Sequence, residues 1–337
     1  MDIIIKSFNR PYCLDRCIQS IRKFVVDSDY RIVILDDGTP EKYLNKIQKK
    51  HKDVVLFKSA LYDEKVEAIS NDLQNINSKV PIDLWIEAAK NSTDYFVLLE
   101  ADIWFTDYIV LSELETQLKK DRMQMLKLFW LGNPKLISNK IMKQEVFYTI
   151  YDPNLFTINP FVYRLFFASS RFKIKQILGF FKIYTFEKWL KYYSIYSVAG
   201  AIFDRDYFLT LWANHTNAVD EGLQLKNAVR FFSKNKNVNF GRTNNEVVKT
   251  SFLSAATNQH KEYENVFIDM FAFNKVMNDA WYEERFDVMD NFPKDFNPET
   301  ISALLKVKNQ ADAKEEEWNK WTIKFKQQYT SIGCLTE

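Results

Sequence analysis

Residues Asp94-Tyr95-Phe96-Val97-Leu98-Leu99-Glu100-Ala101-Asp102 constrain the fold of this chain more than any other stretch. Six residues suited to a buried strand run into two carboxylates separated by one small residue. In an extended chain, residues i and i+2 point to the same side. Glu100 and Asp102 are therefore expected to converge on one hard cation at the carboxyl end of a strand, where open α/β sheets place their ligands. Alone, such a triplet reads more readily as a solvated strand end.

The surrounding sequence decides between these readings. Ile3-Ile4-Ile5 is a short β-branched run that ends in Lys6-Ser7-Phe8-Asn9-Arg10-Pro11. Leu14, Cys17, Ile18 and Ile21 then recur at helical spacing. Arg31-Ile32-Val33-Ile34-Leu35 is a second buried strand, closed by Asp36-Asp37-Gly38-Thr39. Strand, helix, strand is the order of a right-handed parallel crossover. Each strand end carries polar groups: Ser7 and Asn9, then Asp36 and Asp37, then Glu100 and Asp102.

This set resembles the nucleotide-sugar domain of the GT-A glycosyltransferases, in particular the large inverting family two. That family typically opens with a strand ending in a Thr/Ser-x-Asn-Arg-like turn. A strand ending in Asp-Asp-Gly-Ser follows, here Asp36-Asp37-Gly38-Thr39, and an Asp-x-Asp motif closes a later strand, here Glu100-Ala101-Asp102. The resemblance covers roughly residues 1 to 225. Two departures stand out. The first acid of the triplet is Glu, and Val80-Pro81-Ile82-Asp83-Leu84-Trp85 replaces the usual Ala-Arg-Asn-x-Gly stretch. The Arg that often helps hold the diphosphate is thus absent, so another cation or the metal must do more of that work.

The resemblance implies a mostly parallel twisted sheet flanked by helices, with a helical C-terminal extension. The boundaries read as a glycosyltransferase domain over residues 1–240 and an extension over 241–337. It also implies Mn²⁺ or Mg²⁺ held by Asp102 and Glu100, with His260 as a third ligand. Asp37 resembles the acid that meets the nucleobase, with Asp36 in reserve, and Ser7 and Asn9 would line the same pocket. Arg10 and Arg242 are cations that could meet phosphates, although a surface position is the plainer reading. In Ser197-Val198-Ala199-Gly200-Ala201-Ile202-Phe203-Asp204-Arg205-Asp206, Gly200 would let the backbone approach the sugar. Inverting members carry an acidic pair at the head of a following helix. Here it reads Asp220-Glu221, with Glu221 matching the usual general base and Asp220 the alternative if the helix start shifts by one. His215 and His51 read as ordinary surface residues.

Composition limits the other readings. The chain has 337 residues, 47% hydrophobic and 27% charged, with a net charge of +2. That charge gives no nucleic-acid signal. Only seven glycines are present and no Gly-x-Gly-x-x-Gly or Walker-type loop, which argues against Rossmann oxidoreductases and P-loop enzymes. A nucleotidyltransferase would share the sheet order and acidic site. It usually carries a Gly-rich basic loop, however, and Ser7-Phe8-Asn9-Arg10-Pro11 has no glycine. A catalytically silent nucleotide-sugar binder would keep Asp37 and tolerate loss of the base. The three cysteines form no paired framework, which with the absence of a leader before the first strand reads as a reducing, cytoplasmic setting.

Residues 161–193 differ from the rest. Seven basic side chains and one acid give +6, and twelve of these residues are aromatic. Lys/Arg mixed with Phe, Trp and Tyr is expected either at an anionic membrane surface or in a packed insertion with snorkelling lysines. The first reading fits a cytoplasmic enzyme of cell-envelope glycan synthesis, working on a saccharide or lipid-linked acceptor at the inner membrane face.

Further along, the spacing predicts helices within 61–91 broken at Pro81, a strand over Met123 to Trp130, and a partly helical stretch from Asn244 to His260. Helices are also expected over Asn265 to Trp281 and over Ala311 to Gln328.

Overall fold

The β-branched run Ile3–Ile5 lies in the middle of a nine-stranded sheet. The computed structural model describes residues 1–27, 29–71, 76–164, 185–258 and 263–336. Across the sheet the strands are β3 (Val55–Lys58), β2 (Ile32–Asp36), β1 (Asp2–Ser7), β4 (Tyr95–Glu100), β9 (Ala201–Asp204), β6 (Met123–Lys127), β10 (Asn239–Thr243), β8 (Tyr148–Tyr151) and β7 (Ile141–Gln144). β9 and β8 run against the other strands. The carboxyl ends of β2, β1, β4, β6 and β10 therefore share one edge of the sheet. A separate antiparallel pair joins β5 (Ile103–Phe105) to β11 (Val248–Thr250).

Alternation along the strands sends side chains to two cores. Ile3, Ile5, Val97 and Leu99 face the helix Pro11–Phe24 and the C-terminal helices Met270–Tyr282, Pro298–Lys308 and Glu315–Thr330. Ile4, Phe96, Leu98, Met125 and Phe203 face the helices Ile82–Lys90, Arg205–Leu211 and Glu221–Lys234. Both faces are covered, so the central strands read as continuous apolar runs.

Buried polar side chains of the first helix tie the C-terminal residues to the sheet. The Arg16 guanidinium lies 4.4 Å from the Trp104 ring and 4.7 Å from that of Phe296, and it donates to the carbonyls of Val288 and Lys294. Burial pulls its pKa down to about 10. The Asp15 carboxylate accepts from Trp281 Nε1 and pairs with His51, both at 2.8 Å. His51 is therefore buried, not on the surface. Cys13 and Cys17 pack in the same core, and all three cysteines are free and buried.

Several element boundaries differ from the sequence expectation. The strand from Met123 ends at Lys127, ahead of the turn at Gly132-Asn133-Pro134. The described part of Asn244–His260 contains no helix; Val248 and Thr250 favour an extended chain and pair with Phe105 and Ile103. The helix expected from Asn265 begins at Met270, because Asp269 caps it by accepting from the Phe271 and Ala272 N–H groups.

Residues 165–184 lie outside the described residues. At the described edges of the basic, aromatic stretch, Tyr163 and Tyr192 are buried in the second core and Leu190 is buried too, while Phe161 and Phe186 are exposed. Among the described residues no helix is long and apolar enough to cross a membrane.

Gly200 precedes β9 with φ +66°, and a Cβ there would lie 2.0 Å from Phe129 Cε1. Its N–H donates to Leu98 O and its carbonyl accepts from Leu128 N, so neither strand can retreat. Gly200→Ala is expected to lower the unfolding free energy by at least about 1 kcal/mol in denaturant titration, from the left-handed conformation alone. An unchanged midpoint would show that this crossing is not tight.

Candidate active site

Strand register builds the site. β1 pairs with β2 so that Ser7 lies beside Asp36, and with β4 so that Lys6 lies beside Glu100. The C-terminal ends of these three strands carry the polar groups.

At the end of β2 the two acids separate. Asp36 is fully buried and closes its own turn, accepting from Gly38 N at 3.1 Å, Thr39 N at 2.7 Å and Thr39 Oγ1 at 2.7 Å. Burial nevertheless pushes its pKa up. Asp37 turns away and accepts from Lys65 Nζ at 2.6 Å, beside Ser59. Burial raises its pKa as well, against the pull of Lys65. Asp36 is thus committed to the turn, whereas Asp37 is not. Asn9 adopts φ +47°; its N–H donates to Thr39 Oγ1 at 2.9 Å and its carbonyl accepts from Asn278 Nδ2 at 3.1 Å. The Asn9 Nδ2 group is buried without a partner.

The acidic triplet is not extended throughout. β4 ends at Glu100, and Ala101 and Asp102 form a turn into β5. Each acid meets its own cation. Lys6 Nζ donates to Glu100 Oε1 at 2.9 Å and to Val198 O at 3.1 Å, and lies 4.3 Å from the centre of the Trp85 ring. Burial would raise the Glu100 pKa, but the Lys6 ammonium overrides it and holds the carboxyl below its usual range. Arg10, expected at the surface, is buried, because NH1 donates to Asp102 Oδ2 at 2.9 Å and to Ser254 Oγ at 3.3 Å. Two carboxylates therefore face two cations. Asp102 Oδ1 and Arg10 Nε are buried and unpartnered. A buried anionic oxygen without a donor is the kind of group a hard cation takes, so the residues fit a divalent metal. Among the described residues no third His, Cys, Asp or Glu joins them. His260 lies outside the described residues.

The acidic pair also divides its roles. Asp220 is the N-cap of the helix Glu221–Lys234, its Oδ1 accepting from Leu223 N at 3.0 Å. Glu221 is the first helical residue, and its Oε2 accepts from the Tyr193 hydroxyl at 2.6 Å. Tyr196 lies close enough to Glu221 and Glu100 to feel both charges. Burial and then these carboxylates raise its pKa, and its hydroxyl is buried without a partner. His215 pairs with Asp83 at 3.2 Å, apart from these groups.

Four residues of this site escape sequence reading. Lys6, Lys65 and Tyr196 owe their positions to strand pairing and to packing from distant segments. Lys127 had a signal: it is a lone cation inside the apolar run from Met123 to Trp130. Its register partners are Ala201 on β9 and Arg242 on β10. It is 5% exposed, and burial alone lowers its pKa to about 7. A groove of about 610 Å³, lined by Asp94, Arg122, Arg205, Lys234 and Lys236 among others, lies at the opposite ends of β4 and β6, away from all these groups.

The family model for glycosyl transferase family 2 matches residues 2–178, more than half of the chain. The chain therefore belongs to glycosyl transferase family 2, and its fold is the GT-A arrangement of a twisted, mostly parallel sheet flanked by helices. Membership sets the nucleotidyltransferase alternative aside. Among solved structures, residues 1–349 of S. aureus TarS align with a TM-score of 0.40 and 10% identity, covering 98% of this chain and 72% of that one. For the longer TarS structure the match covers 42% of this chain and 24% of that chain, at 14% identity and a TM-score of 0.30. Glucosyl-3-phosphoglycerate synthase from Mycobacterium tuberculosis, in complex with Mn²⁺, UDP-glucose and phosphoglyceric acid, aligns with a TM-score of 0.35 and 11% identity, covering 69% and 65%. No curated protein matches the chain.

Lys127 yields a stability prediction with a definite sign. Its folded pKa of about 7 lies below the ordinary 10.5. Between those values the unfolded chain binds the proton more tightly, so this group makes stability rise with pH. Lys127→Met should melt higher than wild type, with the full difference at or below pH 7 and a shrinking one towards pH 10. An advantage that does not change across that window would contradict an unpaired buried amine.

Proposed function

We propose that this family 2 glycosyltransferase moves a sugar, with inversion, from a nucleotide-diphosphate donor to a saccharide or lipid-linked acceptor of cell-envelope glycan synthesis. One observation carries the reading: Asp37, the Arg10–Asp102 pair and Glu100 gather at the carboxyl ends of β2, β1 and β4, with Glu221 reaching the same place from a helix on one face. In this reading the nucleoside lies against Asp37, Ser7 and Asn9. A carboxylate can accept a ring N–H and a ribose hydroxyl together. Arg10, in place of the missing family Arg, is the cation nearest the departing diphosphate.

Asp102 and Glu100 would hold Mn²⁺ or Mg²⁺, which neutralises charge building on the diphosphate. Asp102→Asn should keep the fold but melt lower than wild type, because the buried Arg10 loses its anion, and should weaken Mn²⁺-dependent UDP binding at least tenfold by calorimetry at a temperature where both proteins are folded. Equal affinities for UDP in Mn²⁺ would remove Asp102 from the site.

An acceptor hydroxyl has a pKa far above 7, so a base must take its proton in the transition state. Glu221 is assigned that role; Asp220 is already engaged as the cap. Glu221→Gln should lower turnover about 10²–10⁴-fold with donor affinity unchanged. Full activity in Glu221→Gln, with loss in Asp220→Asn, would transfer the role to Asp220.

A further inference from the structure

We propose that Lys127 and Arg242 form a subsite for a phosphate group carried by the acceptor. The proposal rests on the glycosyltransferase reading for which substrate bears the phosphate, while the subsite itself rests on the positions of the two cations.

Among the described residues the Lys127 ammonium has no hydrogen-bond or ion-pair partner, and its side chain is almost wholly buried, with only a small part of it reaching solvent. A buried ammonium without an anion is strongly disfavoured, and an apolar side chain of the same length would fit the strand better. Arg242 is its direct register partner on β10, so both side chains leave the sheet on the same face. The guanidinium is fixed 4.9 Å from the centre of the Trp130 ring, with NH1 donating to Thr243 O and Asn244 O at 3.1 Å. Its Nε is buried and unpartnered. The acid nearest in sequence, Glu246, is occupied by the N–H groups of Trp130 and Gly132. On the other flank the register partner is Ala201, whose methyl group offers no charge to Lys127.

The position indicates the acceptor and not the donor. Lys127 and Arg242 share the sheet face that carries Tyr196 and the Glu221 helix. One strand, β9, separates Lys127 from β4, so two strand spacings, roughly 10 Å, lie between the row of Lys127 and that of Glu100. The diphosphate end of the donor already has Arg10. A neutral sugar would leave both cations unpaired, whereas a phosphate accepts from an ammonium and a guanidinium together.

Calorimetry on the full chain tests this, with and without UDP and Mn²⁺. Glycerol 3-phosphate and inorganic phosphate are expected to bind, and glycerol and glucuronate are not. Lys127→Met should weaken both phosphate ligands at least tenfold, and Arg242→Gln should do the same, with UDP affinity within twofold of wild type. Added phosphate should raise the melting temperature of wild type and leave that of Lys127→Met unmoved. Absence of phosphate binding, equal binding in Lys127→Met, or tighter binding of glucuronate would overturn the proposal. A parallel loss of UDP affinity would also overturn it, by placing these cations on the donor. If phosphate binds but UDP does not, the donor reading fails and the anion subsite stands.

Discussion

The pairing of β1 between β2 and β4 is the constraint on which the site depends. Parallel register puts Lys6 opposite Glu100 and Ser7 opposite Asp36 before any loop is considered. Those contacts fix where the chain turns at Asn9 and Arg10, and so bring the Arg10 guanidinium to Asp102. A one-residue slip of β1 would send Lys6 to the other face of the sheet and leave Glu100 without its cation. The ion pairs are therefore as much a consequence of strand register as of charge.

Charge is then closely balanced at the site. Glu100 meets Lys6, Asp102 meets Arg10 and Asp37 meets Lys65. Partly buried pairs of this kind add little net stability, because desolvation offsets the attraction. What they supply is placement: a carboxylate held by one cation has its other oxygen in a fixed direction. Asp102 shows this most clearly, with Oδ2 on Arg10 and Oδ1 free. Lys127 is the exception to the balance. It is a nearly buried amine with no counter-charge among the described residues, a cost that the fold alone does not require.

Much of this was legible in the sequence where local chemistry decides. The apolar run from Tyr95 to Leu99 ending at Glu100, the Asp36-Asp37-Gly38-Thr39 turn and the Gly200 strand start appear where residue type and spacing place them, whereas Asp102 lies in a turn and not in line with Glu100. What failed to show depends on residues far apart in the chain. Asp36 stands in the sequence as a reserve for Asp37, and only the turn geometry commits it to a structural role. Arg10 looks like a surface cation until β4 brings Asp102 beside it. Tyr193 ends the basic, aromatic stretch and Tyr196 lies just beyond it, and both matter because they meet the Glu221 carboxylate. The register β11 adopts beside β5 likewise has no local signature, since Val248-Lys249-Thr250 is too short to announce a strand.

The most direct test of the central claim is a crystal structure of the full chain with UDP and Mn²⁺. The account predicts the uracil and ribose against Asp37 and Asn9, with the diphosphate between Arg10 and Asp102, at the carboxyl ends of β1, β2 and β4. Nucleotide bound instead in the groove lined by Arg122, Lys234 and Lys236, at the other end of the sheet, would contradict it.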